Sequence, residues 1–324
     1  MRLVALLLFS IIQNLLIAQK VIKQGTTKMG CAFEITAVAT DSLVGISSIS
    51  QAYAEIDRIE NEISSWKKTS KTSEINENAG IKPIKVSFEL FQLVQRAIKI
   101  ANLTDGAFDI SIGKSHKKYI FDGRTLAKLD SSIKDSCIGY KGIILNEMDT
   151  SIYLRDSCMQ LDFGGIGKGF AAMKSKVLLE NSVGVSGGVV NASGDLVVFG
   201  EAQNKLGWEV QIVDPENTNK FIAYMLVNNT AVITSGNYEK YFMFEDKRYS
   251  HILNPITKIP TTGIKSVTVV CVDAELADAL ATSIFVLGEK KGMELVNKLN
   301  GVEALLVNDE NELIQSKNLS LSYY

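Results

Sequence analysis

The chain has 324 residues, of which 46% are hydrophobic and 22% charged, with a formal net charge of −2. That is ordinary globular composition, long enough for one large domain or two smaller ones. The near-neutral balance and the lack of a basic stripe remove any electrostatic argument for nucleic-acid binding, and two histidines, His116 and His251, argue against a zinc centre built on imidazoles.

Met1 and Arg2 give a short positive start, and Leu3 to Ala18 is apolar apart from Ser10, Gln13 and Asn14. The run is shorter than the ~20 residues that span a bilayer, and small Ala18 before Gln19 offers a cleavage point. Residues 1–18 therefore read as an export signal, with an uncleaved anchor as the alternative. The expected mature unit is 19–324, one piece divisible at most into two subdomains; four prolines and no low-complexity tract argue against a long linker. Cys31, Cys137, Cys158 and Cys271 show no C-x-x-C spacing. Export permits disulfides, and four cysteines allow three pairings; four buried thiols are equally compatible.

After the leader, Phe33 to Ala39 alternates as a strand. Ile46 to Ile63 carries apolar residues at helical period, and a polar stretch follows from Ser64 to Gly80, with Trp66 near its start. Ser87 to Ala101 is a second amphipathic helix. Ile143 to Leu145 and Ile152 to Leu154 form an expected hairpin, and Gly169 to Glu180 an expected helix. The middle is strand-rich: 188–191, 196–199, 208–213, 221–227, 231–234, 241–244 and 267–272. Two helices, 275–287 and 290–299, precede a last strand at 304–307. Strands come in runs, so the expected class is α+β with a largely antiparallel sheet.

The densest local signal is Leu161-Asp162-Phe163-Gly164-Gly165-Ile166-Gly167-Lys168-Gly169. Glycines let main chain approach a ligand closely, and a carboxylate and an ammonium flank the run. It is not a Walker loop, because Asp162 stands at the first glycine position and Gly169 follows the lysine; Gly165-x-Gly167-x-Gly169 also misses the dinucleotide spacing. Asp278 and Thr282 lie four apart on a predicted helix, one above the other, as hard oxygen donors that suit Mg²⁺. Thr104 to Asp109 and Thr234 to Tyr238 read individually as turns, and His251, between strand-like segments and before a turn, reads by itself as a structural histidine.

Taken together and in order, these segments resemble the ApbE family of FAD:protein FMN transferases, from about Gln24 to Ile314. The matching pieces are Lys28-Met29-Gly30, Ser65-Trp66 with Ser73-Glu74-Ile75-Asn76, Gly106-Ala107-Phe108-Asp109, the glycine run, Asn191-Ala192-Ser193-Gly194-Asp195, Thr234 to Tyr238, His251-Ile252-Leu253-Asn254-Pro255 and Ala277 to Thr282. The resemblance implies an ApbE-like, T-fold-like architecture and Mg²⁺-dependent cleavage of FAD. The FMN half would pass to a threonine or serine hydroxyl of an acceptor protein, a subunit of a flavin-bearing redox complex that could bring the chain near a membrane, with release of AMP. It also implies that Met29, Trp66, Ala107, Phe108, Asp109, Asp162, Lys168 and Ile252 contact FAD. Asp278, Thr282 and the Gly165 carbonyl would hold the metal, and His251 would act in catalysis. Cys31 stands where the family commonly has threonine, Gly165 where alanine is frequent, Ser193 for a frequent glycine and Met173 for a frequent acid. An FAD pyrophosphatase releasing FMN and AMP, or a non-catalytic FAD-binding protein of the envelope, would use the same pocket.

Overall fold

A computed structural model describes residues 19–116, 119–123, 137–202, 206–245 and 247–324. The expected leader lies outside the described residues. In chain order the elements are β1 (Lys20–Lys28), β2 (Cys31–Ala39), α1 (Ser42–Ile63), α2 (Lys71–Glu77), β3 (Ile84–Lys85), α3 (Phe88–Leu103), α4 (Gly113–His116), β4 (Ile143–Asn146), β5 (Ser151–Leu154), α5 (Gly167–Glu180), β6 (Val185–Ala192) and β7 (Asp195–Gly200). Then come β8 (Trp208–Val213), β9 (Phe221–Val227), β10 (Ala231–Gly236), β11 (Tyr241–Phe244), β12 (Lys247–Ser250), β13 (Ile264–Cys271), α6 (Ala274–Val296), β14 (Glu303–Asn308), β15 (Leu313–Gln315) and β16 (Ser322–Tyr323).

The long helices start where a short polar side chain can satisfy unpaired amides. Asp41 accepts from Leu43 and Val44 ahead of α1, Ser87 from Leu90 ahead of α3, and Asp273 from Glu275 and Leu276 ahead of α6. The buried stripe of α1 is Ile49, Ala52, Ile56, Ile59 and Ile63, at the period read from sequence. The two expected C-terminal helices are both present: α6 is two helical segments that meet at Gly288, whose φ of 78° and ψ of 173° are non-helical. Helix α2 rises inside the stretch that sequence leaves as polar loop, capped by Ser70 on Ser73.

Eight strands form one antiparallel sheet in the order β1-β2-β6-β7-β10-β13-β14-β15. Two of its hairpins turn through two residues with positive φ: Met29 (50°) and Gly30 (75°), then Ser193 (56°) and Gly194 (100°). This primed turn matches strand twist but strains a residue with a Cβ, as at Ser193. Helices α1, α5 and α6 cover one face of the sheet through a core that includes Phe33, Ile35, Phe170, Leu280 and Val269. On the other face Val198, Val232 and Leu305 meet Val210, Ile212, Ala223 and Met225 of a small sheet ordered β16-β9-β8. A third sheet, β3-β5-β4, contains the expected hairpin and joins the main core through Ile84, Ile152 and Leu154.

Cys137 and Cys158 are disulfide-bonded, with Cα atoms 5.2 Å apart, while Cys31 and Cys271 are free. One of the three conceivable pairings is thus partly realised, and two thiols stay reduced.

Helices α5 and α6 approach so closely that a Cβ on Gly169 would lie 2.1 Å from the Ala274 carbonyl oxygen and 2.9 Å from Asp278 Cβ. Neither backbone can yield without moving a helix. Gly169→Ala is therefore expected to cost about 1–3 kcal/mol, seen in urea titration as a lower midpoint with an unchanged slope.

Candidate active site

The glycine run leads from the third sheet into α5, and two side chains and one main-chain carbonyl from three other segments hold its start. Asn76 donates from Nδ2 to the Leu161 carbonyl (3.0 Å) and accepts at Oδ1 from the Leu161 amide (2.7 Å), standing in for a strand neighbour. The Asp162 amide donates to the Ile110 carbonyl at 2.7 Å, tying the run to the loop that contains Ala107, Phe108 and Asp109. The Asp162 carboxylate accepts from the Gly164 amide (2.7 Å) and from Ser65 Oγ (2.9 Å). Next to Ser65, the Trp66 ring is 63% exposed, a free aromatic face beside the loop. Ala107 and Phe108 are buried, and Asp109 accepts from the Ser111 amide, Ser111 Oγ and the Tyr140 amide. Burial raises the Asp109 carboxyl pKa while these donors pull it back down. What this loop can offer a ligand is therefore its shape and main chain rather than an unengaged carboxylate.

The second half of the run packs on α6. The Gly169 amide donates to Asp278 Oδ2 at 2.9 Å, and a Cβ on Gly165 would lie 2.8 Å from Thr282 Oγ1. Gly165, Asp278 and Thr282 are thus brought together from two elements. Burial, reinforced by the negative charge of Asp195, pushes the Asp278 carboxyl up to about 7 against the pull of Lys168 and the Gly169 amide. Lys168 Nζ lies 2.6 Å from Asp195 Oδ2, which has no other donor, while Asp195 Oδ1 accepts from the Thr234 amide at 3.1 Å. Burial alone would lower the Lys168 pKa, but attraction to Asp195, Asp278 and Glu239 prevails and holds the ammonium charged.

Three carboxylates thus lie within electrostatic reach of one ammonium that pairs directly with Asp195, and burial raises the pKa of each acid. A buried acid reluctant to ionise, beside a hydroxyl and a glycine turn, suits a hard divalent cation that prefers oxygen. Among the described residues no group of three or more His, Cys, Asp or Glu side chains could hold a metal. A cation here would therefore rely on Asp278, Thr282 and main-chain oxygen, completed by ligands from outside the protein.

His251 follows β12. Its amide donates to the Lys240 carbonyl at 2.9 Å, and its Nδ1 lies 3.1 Å from the same oxygen. A carbonyl only accepts, so the bond requires a proton on Nδ1 and leaves the lone pair of the neutral ring on Nε2. The Phe121 ring meets the imidazole edge-on at 6.4 Å. Glu239, one residue before Lys240, is within electrostatic reach of Lys168, which links the histidine corner to the buried cluster. Ile252 is buried, its amide donating to Ser250 Oγ at 2.9 Å. Met29, at the tip of the β1–β2 hairpin, has its Cε 3.6 Å from where a Cβ on Gly167 would stand, so it lies over the start of α5.

Sequence reasoning missed Asp195 and Glu239 as members of this cluster, and Ser65 and Asn76 as supports of the loop. Asp195 appears in the sequence reading only as the end of the segment from Asn191 to Asp195, and nothing local marks it as the partner of Lys168 on α5. Cys31, on β2, also stands in the field of Lys168 and Asp195, and burial raises its thiol pKa.

The ApbE family model matches residues 29–306, from the tip of the first hairpin into β14. The chain belongs to the ApbE family. It is 29% identical over 279 residues to an FAD:protein FMN transferase of Klebsiella pneumoniae, covering 85% of this chain and 86% of the relative. A Treponema pallidum protein of the same name is 29% identical over 280 residues, covering 81% and 77%. Among solved structures, the ApbE protein of Thermotoga maritima superposes with a TM-score of 0.81 at 26% identity, covering 92% of this chain and 97% of that one. The apo flavinyl transferase ApbE of Pseudomonas stutzeri gives 0.78 at 22% identity, covering 92% and 95%, a likeness of fold. The α+β, largely antiparallel ApbE-like architecture expected from sequence is therefore the observed one.

The Asp278 pKa has a consequence for stability in this ApbE-family chain. A carboxyl raised from 3.8 to about 7 on folding contributes stability at low pH that is lost as pH rises through about 7. Without divalent cations, Asp278→Asn is expected to gain thermal stability relative to wild type as pH increases from roughly 5 to roughly 8. Parallel melting curves in chelator check this; a constant difference between the two proteins across that range would refute it.

Proposed function

We propose that this ApbE-family protein is an exported, Mg²⁺-dependent FAD:protein FMN transferase. It moves the FMN half of FAD to a threonine or serine hydroxyl of an acceptor protein and releases AMP. The observation that carries the reading is the folding of the glycine run against Asp278 and Thr282, with buried Lys168 beside them and His251 at the adjoining corner. The relatives named FAD:protein FMN transferase, similar over most of their length, support the same reading.

In this reaction the acceptor oxygen bonds to the phosphorus of the FMN half, the bond from that phosphorus to the bridging oxygen breaks, and AMP leaves with the bridging oxygen. His251 Nε2 takes the proton of the attacking hydroxyl, with Nδ1–H held on the Lys240 carbonyl so that the ring keeps its tautomer and direction. Lys168, charged and fixed by Asp195, sets a positive charge against the phosphates; phosphoryl transfer depends chiefly on such positioning and charge stabilisation. Mg²⁺, held by Asp278, Thr282 and the Gly165 carbonyl, would neutralise pyrophosphate charge as a Lewis acid. Met29, Trp66, the 107–109 loop, Asp162 and Ile252 border the same loop or the histidine corner and are the proposed FAD contacts. Trp66 in particular presents an exposed face to a planar ring.

The leader-like residues 1–18 and the Cys137–Cys158 disulfide support action in an oxidising compartment outside the cytoplasm. The proposed acceptor is a subunit of a flavin-bearing redox complex, which would place the reaction near a membrane.

Incubation with FAD, Mg²⁺ and hydroxyl-bearing acceptor proteins should add FMN to a threonine or serine, read by mass spectrometry, with equimolar AMP. His251→Ala should slow transfer by about 10²–10⁴-fold while FAD affinity stays unchanged, and Asp278→Ala should remove the response to Mg²⁺. AMP release without acceptor modification would make the protein a pyrophosphatase, and FAD left intact would reduce it to a binding protein.

A further inference from the structure

A cavity of about 490 Å³ opens on the face of the main sheet opposite α5 and α6. Its floor is apolar, with Leu196 and Val198 of β7 facing Val210 of β8. Thr218 and Phe221, both solvent-exposed, form the far rim. The near wall is Tyr238 and Glu239, directly before Lys240, whose carbonyl holds both nitrogens of the His251 hydrogen bonds. The cavity thus begins at Tyr238 and Glu239, next to the His251 corner, and leads away from it along β7 and β8.

One lip has an unusual character. Strand β8 ends its small sheet, paired with β9 alone, and residues from both of its faces, Trp208 and Val210 as well as Glu209 and Gln211, line the cavity. Side chains alternate across a strand, so exposure of both sets means that the strand is seen edge-on. Among the described residues no main-chain hydrogen bond engages the outer edge of Trp208–Val213. A strand edge that no described residue covers, beside an apolar floor, is a template for another extended chain.

We propose that this groove docks the acceptor protein, whose segment next to the modified hydroxyl lies extended as an added strand along β8. Apolar side chains of that segment enter the pocket over Leu196 and Val198, and its hydroxyl residue passes the Tyr238–Glu239 wall to reach His251. A free nucleotide would make no use of a strand edge, whereas an extended polypeptide satisfies it along its length. The inference rests on the flavin-transfer reading and supplies what that reading lacks, a place for a macromolecular substrate.

The test uses the full chain with FAD and Mg²⁺ and two probe peptides of alternating valine and threonine, end-capped with lysine, one of them N-methylated at alternate residues. The plain peptide should slow amide exchange across Trp208–Val213 and accept FMN, and the N-methylated one should do neither. Thr218→Arg and Phe221→Glu, two exposed rim changes that leave the core untouched, should each raise the KM for the peptide about tenfold or more, a loss of about 1.4 kcal/mol. Their FAD affinity and kcat should stay unchanged. Transfer to the peptide without protection of β8, and with unchanged KM in both variants, would overturn the groove while leaving the transferase reading intact. Protection of β8 with no FMN transfer to peptides or proteins would overturn the transferase reading and the acceptor role with it. If neither occurs, both fall.

Discussion

Because Gly169 has no side chain, the first turn of α5 lies against the start of α6 at a distance no other residue would allow. Three consequences follow from this one contact. The Gly169 amide reaches Asp278, so a main-chain dipole orients the buried carboxylate. Gly165 then falls beside Thr282 one turn further along α6. Lys168, on the same turn, reaches Asp195 at the start of β7. The glycines of the run therefore act less as a flexible phosphate cradle than as a spacing device between two helices.

The charges gathered there are arranged for chemistry at some expense of stability. Desolvating an ammonium and a carboxylate costs several kcal/mol per ion, and pairing recovers this only with good geometry. The Lys168–Asp195 pair has a short contact and a main-chain amide behind the aspartate, but Asp278 and Glu239 add negative charge that the pair cannot cancel. Such a cluster is best balanced by a cation, and a ligand that brings one meets a site already charged to receive it. Perturbed groups gathered in one place are the usual mark of function.

Much of this was legible in the residues. Helices α1, α3 and α5 and strands β8, β9 and β11 lie close to where the sequence puts them, and α1 and α3 do so because each buries one face in the core behind a capping residue, Asp41 or Ser87. Strand β1 was not legible: it is a sheet edge rich in lysine, glutamine and threonine, without the apolar alternation that marks half-buried strands. Helix α2 escaped for a related reason, being short, polar and dependent on Ser70 and on neighbours far away in sequence. At the site, Asp278, Thr282 and the glycine run could be nominated by spacing, and the family resemblance joined them. Asp195 and Asn76 could not, since each acts on a segment tens of residues away, and only the folded sheet brings them within hydrogen-bonding range. The groove along β8 was equally invisible, because an unpaired edge is a property of sheet order.

The distribution of the four cysteines bears on how the chain matures. Cys31 and Cys271 sit on β2 and β13, inner strands of the large sheet that are far apart in sequence, whereas Cys137 and Cys158 are only 21 residues apart. In an oxidising compartment all four thiols are available to one another until the sheet closes. Short loops close more readily than long ones, so the 137–158 link is favoured even before the sheet forms. Once β2 and β13 are paired, burial raises the thiol pKa values of Cys31 and Cys271 and suppresses the thiolates needed for exchange. The sheet therefore protects a correct disulfide that it does not itself contain, and premature oxidation involving Cys31 would lock a non-native crosslink within electrostatic reach of Lys168.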